Sequence, residues 1–269
     1  MKYAFIITII VLCSFSWVTE SHSLTIGPAR LEVRLPAGEV AVADYYVQNE
    51  TENPLHVSVE PESWYGSIYD YKGLQAKDWI KAEPAEFDIK PKEIKKIAVK
   101  IKVPTNMSGE LVAQIFFASL MPGSDNTAGA GIQSRVGAIL YVAIKDTEKV
   151  KAKIESINVS ETIAKGNKEV AIKVTVANEG NIHILPESGR VLVKSEESEQ
   201  VVQLPLLTKQ EILPKRNFTY TAIWNNPVVK EGKYTVFCEI KYGKMYGREK
   251  TAKLESSFEA DSSGKVMPK

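Results

Sequence analysis

Beyond the first 23 residues, His56, His183 and Cys238 are the only imidazoles and the only thiol in the chain, so metal or nucleophilic chemistry has to start from them. Neither histidine has a second His or Cys at ligand spacing, and both read as solvated or core-rim side chains. Cys238 shares its parity with Tyr234, Val236 and Ile240, which puts the thiol on the apolar face of a strand as a small core hydrophobe. There is no G-x-S-x-G elbow, no phosphate-cradling glycine loop and no H-E-x-x-H. The expectation is a protein that is not an enzyme and holds no cofactor and no metal.

What remains is binding chemistry, and two stretches carry it. In the first, Trp64, Tyr65 and Tyr69 crowd with Tyr71 and Trp79 around Gly66 and Gly73. Such an excursion is either an aromatic platform for glycan or protein, or a cap on the end of a sandwich. The second is GIQSRVGAILYVAIK, residues 131–145. Counting by twos gives Ile132, Ser134, Val136, Ala138, Leu140, Val142 and Ile144, one face of a long extended strand. The opposite face is apolar in the middle and polar at both ends, the pattern of a strand covered on both sides at its centre. A Gly-, Ser- and Asn-containing loop, residues 121–130 (MPGSDNTAGA), leads into it. The apolar row either fills its own core or is lent as a donor strand to another protein's incomplete sheet.

The elements that must position these residues are strands almost throughout. Residues 31–33, 40–48, 55–59, 97–103 and 111–120 alternate, and Lys96, Lys100 and Lys102 form a solvated face. Turn clusters such as Asn49-Glu50-Thr51-Glu52-Asn53-Pro54 separate the runs. After a short polar joint at 146–149 the pattern restarts at 150–154, 170–176, 191–193, 201–206, 218–224 and 234–240. The fold class is therefore all-β, with two immunoglobulin-like β-sandwich domains in tandem at about 24–146 and 149–259. Residues 260–269 read as a disordered tail.

The start of the chain reads as a signal peptide, 1–23: Lys2, an apolar run at 3–12, and small residues in Ser21-His22-Ser23 before the cut. The chain has 34 basic and 33 acidic residues, and cleavage removes one of each, so the balance stays at +1. A near-neutral chain without a basic block speaks against nucleic acid as a partner. With Cys13 removed, Cys238 has no disulfide partner, and stability must come from core burial. Four Asn-x-Ser/Thr triplets occur, at Asn49, Asn106, Asn158 and Asn217.

Two passages carry a family resemblance. DWIKAEPAEFDIKPKEIKKIAVKIKVP (78–104), with the strands that follow it, resembles the first domain of periplasmic pilus (fimbrial) assembly chaperones and of related secreted surface proteins. ANEGNIHILPESGRVLVK (177–194) is similar to the second immunoglobulin-like domain of proteins built on that plan. The resemblance implies an exported, periplasmic or cell-surface protein that binds pilus or surface-fibre subunits by strand addition, with an outer-membrane usher as a further partner. It also implies two cations that anchor the client's terminal carboxylate. Arg30 in GPARLEV matches the first and Lys145 in YVAIK the second. The alternative function is a structural or adhesive surface protein that binds a protein partner or a wall polymer.

Overall fold

In a computed structural model the described residues are 24–63, 74–121, 132–164, 166–198, 200–206, 210–225 and 227–267. The expected signal peptide, the aromatic residues Trp64, Tyr65, Tyr69 and Tyr71, and nearly all of the loop ahead of residue 132 lie outside them. The first half runs β1 (Leu24–Gly27), β2 (Arg30–Leu35), β3 (Val40–Asn49), β4 (Leu55–Ser63), α1 (Ala76–Trp79), β5 (Ile80–Glu83), β6 (Glu86–Ile89), β7 (Ile94–Lys102), β8 (Glu110–Met121) and β9 (Ile132–Ile144). These strands form two sheets, ordered β1-β3-β7-β5 and β2-β9-β8-β4-β6. The inward residues of both sheets pack as one core, including Tyr45, Val47, Ile97, Val99, Ile101, Leu111, Ile115 and Phe117. The lysine face of β7 is exposed as its alternation requires.

The second half runs β10 (Ala152–Ala164), β11 (Asn167–Asn178), β12 (Ser188–Ser195), β13 (Val201–Pro205), β14 (Asn217–Asn225), β15 (Gly232–Tyr242), a 3-10 turn (Lys244–Tyr246), β16 (Lys250–Ala260) and β17 (Val266–Met267). Its sheets are ordered β10-β11-β14 and β13-β12-β15-β16-β17. Cys238 is fully buried in this second core, and burial pushes its thiol up to about 12, so it behaves as a hydrophobe. The only described α-helix is the four-residue α1, where Trp79 is buried.

The expectation of a disordered tail from 260 is overturned. Val266 and Met267 pair with Ala260 and Glu259, and Ala260 and Val266 are buried in the second core. Asp261 organises the reversal: its carboxylate accepts from the backbone N–H of Ser263 and Lys265, while Gly264 takes φ +72°. Polar composition suggested a free end, but the reversal brings Val266 into the second core while Met267 stays exposed.

The turn after β3 depends on Asn49, which is fully buried. Its Nδ2 donates to the carbonyls of Asn53 and Lys90, and its Oδ1 accepts from the backbone N–H and hydroxyl of Thr51. Asn178 does the same after β11, donating to Ile182 and Ile212 and accepting from Gly180. Replacing Asn49 with Ala leaves several buried backbone groups unpaired. The expected loss is roughly 3 kcal/mol of folding free energy, read from a denaturant titration. A change below about 1 kcal/mol would show that the turn holds without its side chain.

Candidate functional site: an open strand edge and the cleft between the domains

Strand β9 has two environments. Its later half, Ile139 to Ile144, pairs with β2 in parallel register on one side and β8 antiparallel on the other. Its leading half pairs with β8 alone, since β2 begins at Arg30 opposite Ile139. The backbone N–H groups of Ile139 and Lys145 donate to Ala29 and Leu35, whereas that of Ile144 donates to Gly109 at the head of β8. Odd-numbered residues therefore turn their N–H and C=O toward the β2 side, because successive peptide groups of a strand alternate. The amides of Arg135 and Gly137 thus face a side on which no described strand pairs. Beside this gap, β1 lies along β9 but bonds only to β3, as the edge of the other sheet. Among the described residues, the two sheets of the first domain present neighbouring open edges.

The side chains of the apolar row point elsewhere. Ala138, Leu140, Val142 and Ile144 are buried in the first domain's own core, and Val136 packs half-buried against it. Ile132 is in the strand, paired with Met121. The opposite face of β9 meets the second domain: Tyr141 is buried with Val112 against Ile139 and Leu213, and Ala143 packs into the second core. Coverage on both sides, expected from the sequence, is here supplied from two different domains.

A polar network fills the cleft where they meet. From β2, the Arg30 guanidinium lies over the Tyr141 ring, 4.5 Å from its centre. Its Nε donates to Glu32 at 2.7 Å, its Nη2 lies 2.9 Å from His183 Nε2, and its Nη1 is bonded to Glu211. The Tyr141 hydroxyl donates to the other oxygen of Glu211 at 2.5 Å. Glu110, at the start of β8, accepts from both the backbone N–H and Nδ1 of His183, at 3.0 and 2.6 Å. The Tyr246 hydroxyl donates to the His183 carbonyl at 3.3 Å. Nearby, Arg34 is bonded to the buried carboxylate of Glu148. Glu32, Arg34, Glu110, Tyr141, His183 and Tyr246 line a cavity of about 220 Å³.

Close approach of the two domains is built into the backbone. Gly109 has φ +82°, and a Cβ there would stand 2.7 Å from the Asn181 carbonyl, so only glycine fits. Asn181 also ties down the joint, accepting from Lys149 N–H and donating to the Thr147 carbonyl.

The electrostatics follow from the count of charges. Three carboxylates (Glu32, Glu110, Glu211) face one arginine and one imidazole. Burial disfavours the imidazolium, but hydrogen bonds to Glu110 and Glu32 outweigh it and raise His183 to about 9. Nδ1–H is then donated to Glu110, and Nε2–H turns toward Glu32, 3.7 Å away. Nε2 cannot accept from Arg30 in that state; Glu32 and Glu211 hold the two cations side by side. The same carboxylates raise Arg30, against burial, so its charge is permanent.

Arg30 and Lys145 are not brought together. Arg30 stands opposite Ile139, and Lys145 is exposed six residues further along, roughly 20 Å at the rise of a strand, too far for one carboxylate to touch both. The residue that accompanies Arg30 is Tyr141. Sequence reasoning missed His183, Glu110 and Glu211 as members of the site. A fully buried His next to the turn Asn178-Glu179-Gly180-Asn181 carried no spacing signal, because its partners come from distant segments. His56 is exposed, with Asp88 at 2.8 Å. Among the described residues no group of His, Cys, Asp and Glu could hold a metal ion, and no helix is long and apolar enough to cross a membrane.

The architecture these strands define is two immunoglobulin-like sandwiches in tandem, joined by a polar cleft. No family model and no curated protein matches the chain. Among solved structures it is similar to the class 5 fimbriae chaperone CfaA, at 16% identity and TM-score 0.47, over 87% of this chain and 98% of that one. It is also similar to the E. coli chaperone DraB, at 14% identity and TM-score 0.44, over 87% and 96%. A third is the complex of the Salmonella enterica SafA pilin with the SafB chaperone, at 14% and 0.44, over 88% and 97%.

Proposed function

We propose that this chain is an exported, non-enzymatic chaperone-like protein that holds subunits of a pilus or surface fibre by strand addition. One observation carries the reading: among the described residues, no strand pairs with the amides of Arg135 and Gly137 or with the neighbouring free side of β1. An extended client segment laid along that edge gains main-chain hydrogen bonds and seals the seam between the two sheets. The backbone edge is what the chain lends, since the side chains of Leu140, Val142 and Ile144 fill its own core. Arg30 with Tyr141 is the pair suited to the client's terminal carboxylate, because a guanidinium and a phenol already hold a carboxylate there.

Amide hydrogen exchange tests this residue by residue. In the free protein the Val136 and Ala138 amides, bonded to β8, are expected to be protected and those of Arg135 and Gly137 to exchange fast. Adding an extended apolar peptide should slow Arg135 and Gly137 by at least about tenfold and leave Val136 and Ala138 unchanged. Odd-numbered amides that are already protected in the free protein, or that stay fast with peptide bound, would sink strand addition.

A further inference from the structure

Glu211 comes from the second domain, outside any strand, yet its carboxylate sits on the two donors that the first domain presents in the cleft. Arg30 Nη1 donates to one oxygen and the Tyr141 hydroxyl to the other. Two of the guanidinium nitrogens are engaged, Nε by Glu32 and Nη1 by Glu211, while Nη2 lies 2.9 Å from His183 Nε2. Three carboxylates already outnumber the two cations, so a fourth cannot be added to this half-buried cluster without strong repulsion. It can be exchanged for one of them. Glu110 is tied by two hydrogen bonds to buried His183, which leaves Glu32 and Glu211. Of these, only Glu211 touches both Arg30 and Tyr141.

We infer that Glu211 is a built-in competitor, an internal carboxylate that occupies the Arg30–Tyr141 site until a carboxylate from outside displaces it. This rests on the strand-addition reading for its purpose, though not for its geometry. The exchange is local. Ile212, the next residue, is fixed by paired backbone hydrogen bonds with Ile184 at 2.8 and 3.0 Å, so only the Glu211 side chain has to rotate away. Arg30 retains partial exposure, at 32% of its side chain, which gives an incoming group access. Such a competitor scales down the affinity for any isolated carboxylate to the fraction of sites it leaves free. A client that also pairs along β9 overcomes it by making two contacts at once.

The test uses propionate, with propionamide as the uncharged control, titrated into the intact chain and followed by the Arg30 Nε–H signal in nitrogen-15 NMR. Glu211→Gln is expected to saturate at roughly tenfold lower propionate than the parent, as when nine-tenths of the sites are self-occupied. Propionamide should shift neither protein. Glu32→Gln is the charge control and should change the midpoint far less. Equal midpoints for Glu211→Gln and the parent, or equal gains from Glu32→Gln and Glu211→Gln, would overturn the inference. If Glu211→Gln does not fold, Glu211→Asp keeps the charge but withdraws the carboxylate by one methylene. It should shift the midpoint in the same direction, and an unchanged midpoint there would equally overturn the idea. Slowed exchange at Arg135 and Gly137 with peptide, without the propionate shift, removes only the competitor. The reverse outcome removes only strand addition.

Discussion

Arg135→Pro is expected to abolish peptide capture while leaving the fold nearly intact. Proline removes the Arg135 N–H, which with that of Gly137 faces the open edge, and its ring obstructs a strand arriving there. The β8–β9 ladder is not touched, because the Arg135 amide points away from it, and proline is tolerated where a strand's N–H faces no partner. The side chain that is lost makes ion pairs with Glu60 and Glu62 and lies 3.7 Å from the centre of Phe116, all on the exposed face. Such surface contacts contribute about 1 kcal/mol at most. Arg135→Ala, which makes the same side-chain deletion and keeps the amide, is the matched control. By calorimetric titration with the apolar peptide, Arg135→Pro should bind at least roughly a hundredfold more weakly than Arg135→Ala, since it loses a hydrogen bond and gains a steric block. Equal affinities for the two variants would place the binding edge elsewhere.

The second large effect belongs to the cleft. Glu110→Ala strips buried His183 of its main carboxylate partner and leaves its backbone N–H and Nδ1–H without that acceptor. Breaking a buried pair from one side costs about 3–5 kcal/mol, which should show as a large drop in melting temperature. The pH dependence gives an independent reading. His183 is raised in the folded protein from its ordinary 6.5 to about 9. The stability it contributes is fully present below pH 6.5 and is lost as pH climbs through about 9. The parent's melting temperature is therefore expected to fall between pH 6.5 and 9.5, and Glu110→Gln should flatten that slope by removing the main partner. An unchanged slope in Glu110→Gln would mean that His183 is not charged in the cleft.

The strands with clean alternation were legible because period two is a local property. The runs at 40–48, 97–103, 170–176 and 234–240 all appear as strands with the expected faces. β1, with only Leu-Thr-Ile-Gly, and β5 and β6, four residues each beside Pro84, are too short for a period to show. β16 was obscured by Glu255-Ser256-Ser257 in the middle of its run. The long strand at 132–144 was legible in place and in its two-sided coverage. What hid behind it was the identity of the second cover, which only the position of the other domain supplies. The cleft was least legible. Arg30 and Lys145 were both matched through a resemblance, but Arg30 opens β2 opposite Ile139, and Lys145 lies six residues further along the neighbouring strand's course. Glu110, His183 and Glu211 come from three separate segments, and their charges meet only after both sandwiches have formed. Repetition of Asn-Glu at 49–50 and 178–179 was a usable signal, since both asparagines organise the turn that follows.

Strand β9 sends Leu140, Val142 and Ile144 into one core and Ala143 into the other. The same few peptide units are thus a wall of both. Disordering this wall from one side withdraws support from the other, so the two domains, separate by topology, are expected to unfold in one cooperative step. A client strand laid on the leading end of β9 would brace that shared wall, and its stabilising influence would be felt in the domain it never touches.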